Sequence, residues 1–264
     1  MTKMQHNREE KIEALGKVID TLDILRVKCP WDRKQTNQSL RPNTIEEVYE
    51  LSDALMHDDS KNIRKEIGDV LLHVLFYSKI GEEKGDFDIA DVANSLNEKL
   101  IFRHPHVFGT TEASDAHQVE LNWEQIKLKE KDGNKTVLSG VPNSLPSLIK
   151  AYRMQEKAAN VGFDWEERSQ VWDKFKEEIS EFEAEAANMD HDRMESEMGD
   201  VLFSLINVAR LYGIHPDDAL ERTNAKFKQR FNHIEQAAAK KGVKLKDMSL
   251  AEMDRLWNEA KQQQ

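Results

Sequence analysis

The chain repeats itself once, and the repeat is written mainly in charge. Glu46, Glu47 and Glu50 form an EExxE cluster, and Glu177, Glu178 and Glu181 form the same cluster 131 positions later. Glu66 and Asp69, within EIGD, match Glu197 and Asp200, within EMGD, at the same offset of 131. Farther along, Asn97-x-Lys99-x-x-x-Arg103 parallels Asn224-x-Lys226-x-x-x-Arg230 at an offset of 127, and Trp123-x-x-x-Lys127 parallels Trp257-x-x-x-Lys261 at 134. Four patterns in one order at nearly constant offset describe two copies of one fold. Packing alone does not require charged positions to be kept, so the shared charges point to chemistry.

Each copy reads as helix. Strong helix formers dominate, only 11 Gly and 6 Pro interrupt them, and no period-two alternation persists. Three stretches are punctuated. Cys29 to Asn43 carries two prolines and reads as a loop, and His104 to His117 reads as another. Lys131 to Ser147 concentrates Gly, Pro, Asn and Ser and reads as the inter-domain linker. The expected division is residues 1–130, a linker over 131–146, and residues 147–264. Each part is long enough to bury a core without disulfides. One cysteine, Cys29, excludes an internal disulfide and fits a reducing compartment. The N-terminus is polar and no apolar run approaches the ~18–20 residues of a membrane span, so a soluble, cytoplasmic protein is expected. A formal charge of −11 argues against nucleic acid as a partner.

On a helix, Glu46, Glu50 and Glu47 fall within an arc of about 100°. Ile45, Val48, Leu51 and Leu55 fall on a different arc, expected to face the core. Glu66 and Asp69 are i, i+3 neighbours on the following helix. Like charges at these spacings repel by a few tenths of a kcal/mol per pair, and a bound hard cation reverses that sign. Carboxylates without His or Cys suit Mg²⁺ or Mn²⁺ rather than zinc or copper. Two plainer readings compete: a solvated acidic face, or a Thr44–Glu47 capping box that places Glu47 for purely structural reasons. The second copy weighs against capping, because the position matching Thr44 is Phe175 while Glu178 remains.

The segments after ExGD, Val70 to Tyr77 and Val201 to Ala209, are apolar almost all round, which predicts burial on several sides. Gly68 and Gly199 inside them predict close approach by a helix or a ligand. Lys226 and Arg230 share a helix face, as do Lys99 and Arg103. Downstream of carboxylates they form either ordinary surface pairs or a clamp for phosphates. Trp257 and Lys261 either contact a base and a phosphate or, for Trp257, anchor the core. Asn207, where the first copy has Phe76, places a polar group on a buried helix and favours the second copy as the principal catalytic site. The chain has neither a P-loop nor a Rossmann glycine pattern. Glu-x-x-His, needed for a ferritin-like di-iron site, is missing. His104-Pro-His106 has no counterpart in the second copy, and Cys29 has no partner for nucleophilic chemistry.

EExxE, then ExxD sixteen positions on, then N-x-K-x-x-x-R closely resembles the MazG family of nucleoside triphosphate pyrophosphohydrolases. CPWD (Cys29 to Asp32), HPHVFG (His104 to Gly109), NWEQIK (Asn122 to Lys127) and NVGFDW (Asn160 to Trp165) are similar to its two-domain bacterial members. The resemblance implies an all-α fold, a tandem repeat of helical-bundle domains completed by homodimerisation. It implies Mg²⁺-dependent conversion of a nucleoside triphosphate and water to the monophosphate and pyrophosphate. Metal-binding positions carry over onto Glu46, Glu47, Glu50, Glu66 and Asp69, and onto Glu177, Glu178, Glu181, Glu197 and Asp200. The basic positions carry over onto Lys226, Arg230 and Lys261, with Trp257 beside the substrate; Asn207, from its polarity, and Asn224, from the repeated motif, are the other expected substrate-binding residues. In chemical terms, water attacks the α-phosphorus, Glu178 is the expected general base, and Lys226 and Arg230 neutralise the β and γ phosphates. A regulatory helical dimer that binds nucleotides without turnover is the alternative.

Overall fold

A computed structural model describes residues 6–110 and 136–262, together with 119, 126, 127 and 130. Among the described residues every regular element is helical. No helix there is long and apolar enough to cross a membrane. The chain divides into two compact units, Met1–Glu112 and Ala113–Gln264.

The first unit comprises α1 (Arg8–Lys28), a 3₁₀ turn (Asp32–Lys34), α2 (Asn37–Met56), α3 (Ser60–Lys84), α4 (Ile89–Arg103) and the single turn α5 (Pro105–Phe108). The second has a 3₁₀ turn (Leu138–Gly140), α6 (Ser147–Ala159), α7 (Arg168–Asn188), α8 (His191–Leu211), α9 (Pro216–Lys241), a 3₁₀ turn (Leu245–Asp247) and α10 (Leu250–Gln262). The hairpins α2–α3 and α7–α8 are the most closely packed pairs of their units. The 3₁₀ turn from the expected linker packs on α6. Residues 131–135 of that linker and Trp123 of the first Trp-x-x-x-Lys motif lie outside the described residues.

The stretch expected to loop from Cys29 to Asn43 is helical from Asn37 on. Thr36 and Ser39 cap each other: the Ser39 amide donates to Thr36 Oγ1 at 3.1 Å, and the Thr36 amide donates to Ser39 Oγ at 2.9 Å. This box satisfies amides that a helix start leaves orphaned. Pro42 forfeits one interior bond, but it lies on the exposed side and the helix continues through it. The same finding removes the Thr44 capping box. Thr44 sits inside α2, where its hydroxyl donates to the Leu40 carbonyl at 3.0 Å and lies 2.5 Å from Tyr77 Oη. Within the segment expected to loop from His104, α5 forms one turn, closed by the Gly109 amide on the Pro105 carbonyl at 3.0 Å.

Leu22, Leu40, Leu75, Phe76 and Ile80 form the core of the first unit, uniting α1, α2 and α3. The buried cluster of the second unit lies elsewhere, between α9 and α10, with Ile234, Ala238, Met248 and Leu256. The expected core arc of α2 is not buried within one chain: Ile45, Val48 and Leu55 are 44%, 50% and 56% exposed. Leu72, Val74, Leu202, Phe203 and Leu205 are likewise exposed, so each ExGD helix buries one side only. Among the described residues nothing lies within 4 Å of a Cβ built on Gly68 or Gly199, so the close approach predicted there does not occur between them. Large apolar side chains left open along several helices are what one half of an association interface presents.

Candidate active site

The hairpins place EExxE opposite ExxD in each unit. One carboxylate oxygen each from Glu47, Glu66 and Asp69 lies within 4.8 Å of the other two. Glu178, Glu197 and Asp200 repeat the arrangement to the same limit. The buried member differs: Glu66 from α3 in the first unit, Glu178 from α7 in the second. Glu46, Glu50, Glu177 and Glu181 lie outside these trios. Glu46 and Glu50 line an open groove of about 610 Å³ with Tyr49, His57 and Lys65.

Gathering three carboxylates raises their mutual repulsion, and the surroundings show it. Burial first, then the charges of Asp69, Glu50 and Glu66, push the Glu47 carboxyl above its ordinary value. Burial and the Glu178 charge do the same to Glu181. Each trio has drawn in a lysine. Lys65 Nζ is 2.9 Å from Glu66, 3.5 Å from Asp69 and 3.8 Å from Glu50. The hydrogen bond to Glu66 heads the causes that push this amine up to about 12. Lys174 Nζ is 2.9 Å from Glu178 and 3.0 Å from Glu177, and its amine is held well above the usual lysine range, first by Glu178. These two lysines are not repeat equivalents; Ser196 and Asn43 stand at the matching positions. Each cluster has recruited positive charge from a different direction. All-oxygen donors within reach of one another and a need for positive charge fit a hard divalent cation.

Both trios border a cavity: Glu66 belongs to the wall of the open groove lined by Glu46 and Glu50, whereas the second trio adjoins a more enclosed chamber. A cavity of about 660 Å³ has Glu178, Asp200 and Lys174 in its wall, together with apolar Met154, Phe163, Trp165 and Phe203. Gln155, Ser204, Asn207 and Arg210 supply the remaining polar lining. Arg210 fixes this polar side: its Nη1 donates to Asp164 at 3.1 Å and its Nε to Asn207 Oδ1 at 2.9 Å. Asn207 therefore turns its amide N–H₂ away from Arg210.

The basic residues expected at the phosphates do not line this cavity. Lys226 is exposed on α9, and Asn224 Nδ2 donates to Glu221 at 3.0 Å. Arg230 lies over the Trp257 ring at 5.4 Å, and Phe227 meets the same ring edge-on. Trp257 packs against the α9–α10 core, while Lys261 is exposed near the end of α10. Residue-level reasoning missed Lys65, Lys174, Gln155 and the Asp164–Arg210 pair. Lys174 was open to detection, since it precedes Glu178 by one helical turn. Lys65 was equally open to detection, one helical turn before Asp69. Gln155 and the Asp164–Arg210 pair meet their partners only through tertiary packing.

Comparison with known proteins agrees with the geometry. The family model of the MazG nucleotide pyrophosphohydrolase domain matches twice, over residues 35–108 and 168–235. A nucleoside triphosphate pyrophosphohydrolase of Escherichia coli K12 is 40% identical over 240 residues, which cover 89% of this chain and 91% of that protein. A Thermotoga maritima protein named nucleoside triphosphate pyrophosphohydrolase/pyrophosphatase MazG is 43% identical over 234 residues, 88% of this chain and 89% of its own. An uncharacterized Bacillus subtilis protein, YabN, is 49% identical over 236 residues but has only 48% of its length covered. Each match to the family model spans one carboxylate-bearing hairpin, α2–α3 or α7–α8, and the chain is a member of the MazG nucleotide pyrophosphohydrolase family that carries its domain twice.

Proposed function

We propose that this chain hydrolyses nucleoside triphosphates to monophosphate and pyrophosphate in its second unit, with a divalent cation, Mg²⁺ or Mn²⁺, on Glu178, Glu197 and Asp200. The observation that carries the reading is the chamber beside that trio, large enough for a nucleoside and lined by both apolar and amide groups. The relatives' names supply the substrate class. When bound, the cation neutralises triphosphate oxygens and helps orient the attacking water.

The chain's own residues supply the rest. The apolar wall takes the nucleoside and leaves the phosphates at the carboxylate end. The water oxygen forms a bond to the α-phosphorus as the α–β bridging bond breaks, and pyrophosphate leaves with the electron pair. A carboxylate outside the trio takes the water's proton. Glu178 belongs to the trio and Glu177 is paired with Lys174, which leaves Glu181 as the remaining carboxylate of the EExxE cluster for this task, in place of the expected Glu178. Lys226 and Arg230 neutralise the departing pyrophosphate. Because they stand apart from the chamber in one chain, a second copy completes the arrangement. The open apolar faces and the empty space at Gly68 and Gly199 support such a homodimer.

Incubation with Mg²⁺ and a panel of NTPs and dNTPs, with products separated by anion exchange, tests the reaction. Monophosphate and pyrophosphate are expected. Diphosphate and phosphate, or tight binding without any product, would overturn it. Light scattering after size exclusion is expected to give twice the 30.6 kDa chain mass.

A further inference from the structure

We infer that Gln155 reads the nucleobase in the second unit as a hydrogen-bond acceptor of fixed orientation. The inference rests on the nucleotide reading above and names the group that inspects the base. Gln155 is 7% exposed, lies on α6 and forms part of the chamber wall. Its Nε2 donates to the Phe203 carbonyl of α8 at 2.8 Å. A carbonyl can only accept, so this bond settles which end of the amide faces α8. Its Oε1 is sealed from solvent and is the one buried side-chain polar atom among the described residues with no hydrogen-bond partner.

Buried acceptors are rarely left empty, and an exception calls for an explanation. A ligand N–H satisfies this one as the side chains covering it part on binding. Phe203 lies three residues beyond Asp200, so along the helix the amide sits about 5 Å past the carboxylate end. That places it deeper in the chamber than the phosphates, on the side where a base enters. Apolar Phe163, Trp165 and Met154 offer area for the base faces, whereas Gln155 offers a single directional contact at an edge. A glutamine free to rotate accepts either donor or acceptor edges. Held by Phe203, this one favours an edge carrying an N–H: an exocyclic amine of adenine, cytosine or guanine, or the ring imino group of uracil or guanine. An analogue without that hydrogen leaves the acceptor empty and is rejected.

The test uses the full-length protein with Mg²⁺ and three substrate pairs. These are ATP against purine riboside triphosphate, CTP against 2-pyrimidinone riboside triphosphate, and UTP against N3-methyluridine triphosphate. In the wild type, kcat/KM for the best natural substrate is expected to exceed that of its analogue about tenfold or more. Gln155→Met and Gln155→Leu should bring the members of that pair within about threefold, mostly by slowing the natural substrate. A structural role alone would lower the melting temperature of the variants and leave the ratio intact. Equal rates for wild type on every pair overturn the inference whether or not the variants fold, and so does a ratio unchanged in a folded variant. If no triphosphate is cleaved at all, the functional reading fails instead, and calorimetric affinities for the same pairs then decide the role of Gln155.

Discussion

The two units hold the same carboxylate trio on the same hairpin, yet their interiors differ. In the first, Leu40, His73 and Phe76 stand where the second has Val171, Ser204 and Asn207. All three first-unit residues are buried, and Phe76 is only 2% exposed. Arg26 closes the remaining space: its guanidinium lies 5.7 Å from the Phe76 ring centroid and binds Glu83 through Nε at 2.8 Å and Nη2 at 2.6 Å. Smaller side chains in the second unit leave a chamber instead. Duplication thus separates two properties that a single copy must combine. One unit keeps the charges, fills its core and leaves an open groove at Glu66, while the other keeps the charges beside a more enclosed chamber. The units therefore differ in the space that adjoins the trio, not in the trio itself.

That comparison is most easily broken at the carboxylates. Glu178→Gln removes one of three charges from the trio with the chamber and is expected to lower NTP cleavage by about a thousandfold. Glu47→Gln makes the matching change where the interior is filled and should leave most activity. The reverse pattern, measured as pyrophosphate release, would place catalysis in the first unit.

Exchanging the residues that set the volumes comes next. Asn207→Phe copies Phe76 into the second unit and should cost cleavage about a hundredfold, since small displacements of a bound substrate already cost that much. Phe76→Asn makes the opposite exchange and should destabilise the fold by about 3–5 kcal/mol by emptying a packed site, read by urea denaturation. Its specific activity below the melting point should be nearly unchanged. If Asn207→Phe retained activity, the chamber would not be the substrate's place.

The acidic clusters predict a smaller, pH-dependent effect. Glu47 and Glu181 have carboxyls raised above the ordinary glutamate range, so in and above that range the folded protein holds more protons than the unfolded chain. Stability therefore falls as pH rises through the raised values and levels off once both groups are ionised. In EDTA the melting temperature should fall slightly as pH rises from mildly acidic toward neutral. Mg²⁺ should recover more of it at pH 7 than at pH 5, because only ionised carboxylates bind the cation. A Mg²⁺ effect independent of pH would argue against cation binding at the trios.

The division between what residues foretell and what packing decides is clear in these same positions. Charge at helical spacing made both trios legible, because Glu47, Glu66 and Asp69 need only a hairpin to meet. Asn207 was legible as a polar break in an apolar run. Pro42 misled, because local rules price a proline as a break while the Thr36–Ser39 box and the packing of Leu40 outweigh one lost bond. Exposed Ile45, Val48, Leu202 and Leu205 carry an apolar pattern that one chain cannot explain. Gln155 left no trace in the sequence, since its meaning arises from an α8 carbonyl 48 positions away.

The smallest effect concerns the turns that aim each trio. Asp58 and Met189 occupy the same repeat position, and both adopt left-handed backbone, at φ 50° and 57°. Both occur where the first helix of the hairpin ends, so the repeat has kept the turn while changing its residue. Asp is among the residues that tolerate this conformation, whereas Met carries a cost of about 1–2 kcal/mol there. Met189 is 81% exposed and loses little packing when replaced. Met189→Asn should therefore stabilise the second unit by about 0.5–1 kcal/mol, and Asp58→Asn should change almost nothing. The pair separates conformation from contact: equal effects at both positions would mean that the Met189 turn carries no strain. A gain at Met189 alone would show that the unit holding the chamber tolerates strain at the hairpin that the filled unit avoids. If that gain came with slower pyrophosphate release, relaxing the turn would have shifted Glu178 relative to Asp200, and the strained turn would be helping to hold the trio's geometry.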